Sequence, residues 1–278
     1  MTKTVPFRFP PNSLVPENNH QMSAPPATDS SSVRNSIIQP DNYVDPFLDF
    51  ISSNPTVFHA VKHFSDQLTE KGFVKLSERD IWSEKLERGG KYYFERNGSG
   101  LIAFMIGDQY EAGNGAAIVA SHIDALTAKV KPLSTKPTRE GFLQLGIAQY
   151  AGGLNQTWID RDLGIGGRVF VKDGNTGKIE TRLVKLDWPI ARIPSIAPHF
   201  GIPAEGQPNR ETRMVPIIGI DNSDILDKEN KLEQVVDAQL LAGSTGSFAA
   251  TQPHALFKAI AGEIGVSDCK DALYILLH

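Results

Sequence analysis

The chain has 278 residues, 40% of them hydrophobic, and a formal net charge of −4 with both signs interspersed. That is ample for a real core in one large or two ordinary domains, and it argues against a surface built for nucleic acid or an anionic membrane. A single cysteine, Cys269, rules out an internal disulfide and argues against a cysteine-rich zinc finger, and no apolar run approaches the roughly 20 residues of a transmembrane helix. The expectation is a soluble globular protein.

Residues 1–42 are rich in Pro, Ser and Asn, as in Ala24-Pro-Pro26-Ala-Thr-Asp-Ser-Ser-Ser32, and predict a disordered tail, a spacer or an address. They carry no basic stretch followed by an apolar core, so a secretory signal is not expected. Asp45-Pro46 has the form of a helix start, with the acid as N-cap and the proline at the first helical position. Asn54-Pro55 then breaks the pattern. Val57, Phe58, Val61, Phe64 and Leu68 recur at helical spacing from there until Gly72. His59 and His63 on that helix are four apart, a possible metal spacing, but without a glutamate between them they read as surface histidines.

Lys91–Arg96 and Leu101–Ile106 are strand-like and are joined by Asn97-Gly-Ser-Gly100, a strong hairpin signal. Next comes Ala116-Ala-Ile-Val-Ala-Ser-His-Ile-Asp-Ala125. Its small and β-branched start predicts a strand buried on both faces, as in a parallel sheet covered by helices. Side chains at i and i+2 of a strand share a face, so His122 and Asp124 would emerge together at its carboxyl end, where open α/β sheets place ligands. An imidazole there can bind zinc with the carboxylate orienting it, or the pair can be a structural hydrogen bond.

Past Lys129-Val-Lys-Pro132, short strand candidates alternate with Gly and Pro, among them Gly166–Lys172 and Val215–Ile220, with a turn at Gly174-Asn-Thr-Gly177. They predict a β-rich insertion in an α/β domain. Within it Asp160 and Asp162 are candidate ligands or bases, though beside Arg161 and Arg168 they read better as ion-paired or interfacial. His199 sits in a proline-framed loop, either reserved for function or simply solvated. Helical patterning returns at Leu256–Ile264 and Asp271–Leu277.

Taken together, three words in order resemble the aminopeptidase I and aspartyl aminopeptidase family of zinc metallopeptidases. They are Ala120-Ser-His-Ile-Asp-Ala-Leu126 with Lys129-Val-Lys-Pro132, Gly152-Gly-Leu-Asn with Trp158-Ile-Asp-Arg-Asp-Leu-Gly-Ile-Gly-Gly-Arg168, and Arg192-Ile-Pro-Ser-Ile-Ala-Pro-His-Phe-Gly201 with Pro203-Ala-Glu205. The wording is nearest the fungal vacuolar branch and runs from about Tyr43 to the C-terminus. The resemblance implies a three-layer α/β/α zinc-peptidase domain, incomplete at its C-terminus, with an inserted β-rich dimerisation domain. On that basis residues 43–126 start the peptidase domain, 127–240 form the insertion and 241–278 begin the return.

It further implies removal of N-terminal amino acids from peptides by a water activated between two zinc ions. His122 then matches a metal ligand, Asp124 an aspartate that supports catalysis, and His199 a histidine that reaches the substrate pocket of a neighbouring subunit in a dimer-based dodecamer. A cytoplasmic or vacuolar location follows. The family's other words, a bridging aspartate, a Glu-Glu pair, a further aspartate and a late histidine, have no match, and no Glu-Glu dipeptide occurs. Gly262-Glu-Ile-Gly265 echoes one of them, but with a single glutamate in an amphipathic helical setting. Three readings follow: an incomplete zinc aminopeptidase, a non-catalytic assembly fragment of that family, or an unrelated α/β binding protein.

Overall fold

A computed structural model describes residues 39–124, 126–150, 152–172, 176–200, 208–220, 251–265 and 272–277. The predicted tail therefore lies outside the described residues up to residue 38, as do Gly174 and Asn175 of the predicted turn. The chain divides after Phe47 into two units. In the first, the described residues 39–47 carry the opening turns of helix α1 (Asp41–Ser53), whose start precedes the expected Asp45-Pro46. Pro40, its φ already set for a first helical turn, supplies the carbonyl bonded by the Tyr43 N–H at 3.0 Å. Pro46 is thus inside the helix, where it costs one backbone bond without ending it.

The second unit begins with the rest of α1 and with α2 (Val57–Glu70). Phe50 meets His63 and Phe64 of α2, with ring centroids 5.1 and 5.3 Å apart. α2 turns Phe58, Val61 and Ser65 inward at i, i+3 and i+7, the spacing of one helical face. It faces a three-stranded sheet of β1 (Val74–Lys75), β2 (Lys91–Arg96) and β3 (Gly100–Met105), in which β1 and β2 are parallel and β2 and β3 antiparallel. Ser65 donates to Glu95 at 2.5 Å, and the Thr69 and Tyr93 hydroxyls bond at 2.9 Å across the same contact. The hairpin turn is the expected one. Asn97 and Gly98 both take left-handed φ, 53° and 64°, matching the right-handed twist of the paired strands.

The remaining strands among the described residues form two further sheets. A five-stranded antiparallel sheet has the order β4 (Thr127–Thr135), β5 (Phe142–Tyr150), β10 (Ile217–Ile220), β9 (Ala191–Arg192) and β6 (Asp162–Leu163). A second sheet places β7 (Gly166–Lys172) between β8 (Ile179–Lys185) and β11 (Ala272–Leu277). Helix α3 (His254–Glu263) adds Leu256, Phe257 and Ile260 to one core with Leu145, Ile147, Val169, Val171 and Val184. The buried Ser134 hydroxyl donates to Gln252, anchoring the approach to α3 on β4.

One expectation is corrected here. Residues 272–277 are a strand and not a helix, since a short unbroken apolar run fits either state and the free edge of β7 decides it. The described residues of α3 and β11 pack and pair with the strands that precede them.

A second correction concerns the central stretch. Residues 116–124 form no strand, and among the described residues no strand pairs with them. Ile118 and Val119 are 85% and 96% exposed. A strand interior to a parallel sheet gets its hydrogen bonds from both neighbours and its cover from two helical layers, and the described residues provide neither. The chain combines helices with sheets in an α/β fold.

Candidate functional site

His122 and Asp124 lie at the end of this uncovered stretch. Even without a pleated strand they point together, with His122 Nε2 3.4 Å from Asp124 Oδ1. The imidazole is 76% exposed and the carboxylate side chain 24%. The pair therefore presents a basic nitrogen to solvent beside a carboxylate that is largely sheltered. These are donor types that zinc accepts, but zinc sites need three or four donors. Among the described residues no group of three or more His, Cys, Asp or Glu side chains is placed to hold a metal. The described residues do not form a metal centre by themselves.

His199 is exposed in a single 3-10 turn (Pro198–Phe200), its ring centroid 4.4 Å from that of Phe200. Among the described residues no hydrogen bond or ion pair links it to His122 or Asp124, so the structure brings two of the three candidate residues together. His59 is not at the surface in the way the sequence suggested. Its Nδ1 is 2.7 Å from the Thr56 hydroxyl, and burial, then the charge of Lys185, pull its pKa below the usual histidine value. His63 bonds Gln67 at 3.0 Å, so the two helical histidines have separate partners.

The acidic word Asp160-Arg-Asp162 is structural in this chain. Asp160 has φ 58°, in the left-handed region that aspartate tolerates, and accepts from both the hydroxyl and the backbone N–H of Ser195, the latter at 3.0 Å. Those bonds, the hydroxyl's foremost, hold its carboxyl below the ordinary range, with Arg192 adding attraction. Arg192 donates to the Asp160 carbonyl at 2.9 Å and reaches Asp162 at 3.4 Å. The expected ion pair is therefore made by a residue about 30 positions away and not by Arg161 or Arg168. Spacing along the chain carries no signal for that partner; only the β6–β9 pairing brings it in.

Arg168 does something the sequence did not suggest. It rises from β7 between Phe58 of α2 and Phe170, with its guanidinium carbon 4.2 and 5.2 Å from the two ring centres. One terminal nitrogen donates to the Asn97 carbonyl of the hairpin turn at 2.6 Å, while Nε is buried with no partner among the described residues. Burial pushes the guanidinium pKa down. One side chain thus ties the sheet of β7 to the first helix–hairpin layer.

A hollow of about 320 Å³ lies between Pro55-Thr56, Leu126 and the sheet residues Leu145, Trp158, Asp162 and Lys185. Its wall is mainly apolar, and His122, Asp124 and His199 do not line it. Neither the hollow nor the His122 stretch is a closed active site.

The fold is α/β, with a His-x-Asp pair whose donor types suit a metal, and the comparisons give its family. Residues 50–270 match the model of the aminopeptidase I zinc metalloprotease (M18) family, and the chain belongs to that family. Vacuolar aminopeptidase 1 of Saccharomyces cerevisiae is 42% identical over 216 residues, which is 76% of this chain and 42% of that protein. The structure of Chaetomium thermophilum mApe1 superposes with a TM-score of 0.75 at 53% identity, covering 86% of this chain and 50% of that one. The S. cerevisiae mApe1 dodecamer gives a TM-score of 0.67 at 32% identity, over 86% of this chain and 48% of that one. The chain spans less than half the length of the curated relatives it matches. Among the described residues no helix is long and apolar enough to cross a membrane.

Proposed function

We propose that this chain supplies about half of a zinc metalloaminopeptidase that removes N-terminal amino acids from peptides. In this reading His122 is one ligand of a two-zinc site, Asp124 fixes the imidazole, and His199 reaches the substrate pocket of a neighbouring subunit. The observation that carries it is the exposed His122–Asp124 pair, set within a family match that runs through most of the chain. A pleated strand through 116–124 would keep both side chains on one face, and with Nε2 turned to Asp124 the ring nitrogen left for a metal is Nδ1.

Homo-oligomeric assembly, which the S. cerevisiae relative displays as a dodecamer, is part of the same proposal. So are the three-layer α/β/α arrangement of the complete peptidase domain, an insertion that serves dimerisation, and a cytoplasmic or vacuolar location, the latter suggested by the name of the yeast relative. A second reading, an assembly fragment without catalysis, is favoured by one specific finding: fewer than three grouped metal donors among the described residues.

Fusing this chain to the half of Chaetomium thermophilum mApe1 that it does not span discriminates between the two. The fusion is expected to release N-terminal residues in a zinc-dependent way, with a loss of at least about 100-fold on His122→Ala. Activity indifferent to His122→Ala contradicts the ligand assignment. A well-folded, dodecameric fusion without activity supports the assembly reading.

A further inference from the structure

We infer that Asp160 is a positioning residue, whose carboxylate clamps Ser195 and so sets the direction in which the following loop presents His199. This rests on the proposed function above, in which His199 reaches a substrate pocket, and adds the residue that aims it. The segment 192–195 is gripped by the turn at Asp160. Arg192 donates to the Asp160 carbonyl at 2.9 Å and reaches Asp162 at 3.4 Å, and the Asp160 N–H donates to the Ile193 carbonyl at 2.9 Å. Ile193 is fully buried and forms a parallel bridge with Ile159. Ser195 closes the grip, its backbone N–H donating to Asp160 Oδ1 at 3.0 Å and its hydroxyl to Oδ2. Arg192 meets Asp160 through the carbonyl, so both carboxylate oxygens serve Ser195, and those two bonds are the foremost reason that the carboxyl stays ionised below its ordinary range.

Past Ser195 the loop has no further anchor among the described residues. The Phe200 N–H donates to the Ala197 carbonyl at 3.0 Å, within the loop, and Ile196, His199 and Phe200 are exposed. The contact of His199 with Phe200, centroids 4.4 Å apart, travels with the loop and does not fix it to a sheet. The path from clamp to imidazole is stiff, however. Pro194 and Pro198 have fixed φ, and each confines the residue before it to extended backbone. Four residues of such chain reach up to about 14 Å, so a modest rotation at Ser195 displaces the ring by several ångströms. The residue type at 160 fits the task. A φ of 58° suits Gly, Asn and Asp, and of these only Asp offers two acceptor oxygens.

The test is backbone relaxation by nuclear magnetic resonance on the full chain, as wild type, Asp160→Gly, Asp160→Asn and Ser195→Ala. Glycine keeps the left-handed φ and removes both acceptors; asparagine keeps φ and one acceptor. Amide order parameters at Ile196, Ala197 and His199 are expected near the rigid value of about 0.85 in the wild type and below about 0.6 in Asp160→Gly, with the other two variants between. Exchange protection of β7 is expected to persist throughout, which shows that the variants are folded. Unchanged order at 196–199 in folded Asp160→Gly overturns the inference; should that variant unfold, unchanged order in both Asp160→Asn and Ser195→Ala does so. In the fusion described above, Asp160→Gly is expected to lower kcat/KM by about 10- to 100-fold. Combined with His199→Ala it is expected to do no further harm, because both substitutions act through one imidazole. Additive losses overturn the inference. A loop loosened by Asp160→Gly in a protein whose activity ignores His199→Ala supports the clamp and removes the pocket role of His199, so the two claims fail separately.

Discussion

Strand β7 and the stretch 116–121 both carry β-branched apolar residues and have opposite fates. Val169 of β7 is completely buried between two hydrogen-bonded neighbours, whereas Val119 is almost bare. The difference is in the company. β7 finds β8 by a local return of the chain and β11 from about 100 residues on, and α3 closes the core over it. The 116–121 run has the β-branched composition of a strand but no partner among the described residues. Apolar pattern states what a segment requires, and hydrogen-bonded neighbours decide whether it is met.

The contrast can be broken or sharpened by substitution, beginning with the finished region. Phe257→Ala empties a fully buried position of α3 and is expected to cost about 3–5 kcal/mol, read as a lowered denaturant midpoint with an unchanged slope. Arg168→Met removes the bond to Asn97 and the charge between two rings while keeping much of the bulk. About 1–3 kcal/mol is expected, together with faster hydrogen exchange in the 96–100 turn if Arg168 is the tie between the layers.

Acid should act on the same region through His59. Its folded pKa lies below the unfolded value of 6.5, so between the two the unfolded chain binds more protons and stability rises with pH. The contribution is present above pH 6.5 and fades as pH falls from there through the folded value. Melting curves from pH 7 to 5 are expected to show a smaller acid loss for His59→Gln than for the wild type, and equal losses would contradict the assignment. Asp160, also depressed, acts lower, from about pH 3.8 downwards. The smallest effect belongs to the unfinished stretch. Val119→Ala removes a side chain that touches little and should change stability by less than about 0.5 kcal/mol.

What could be read in advance follows the same division. Asn97-Gly98 demanded a hairpin and made one, and α2 was legible because helical bonds and the i, i+3, i+7 face are local. The ends of elements were less so. Pro46 looked like a start but lies inside α1, because Pro40 opens the helix a turn earlier. Residues 272–277 have no alternation to separate strand from helix, and their state is set by β7 far along the chain. The partners of Asp160 and Asp162 were invisible for the same reason, since Arg192 and Ser195 arrive through sheet pairing. The His122–Asp124 pair was legible as two neighbouring side chains, whereas the strand expected to carry them is not formed, because whether a parallel strand finds its partners is not written in its own local sequence.

Hydrogen exchange on the chain alone weighs the two regions against each other most directly. Amides of 166–172 in β7 are expected to exchange only at the rate of global unfolding, while those of 117–121 exchange close to the rate of an unstructured peptide. Protection of 117–121 equal to that of β7, in a chain shown to be monomeric, would contradict the account.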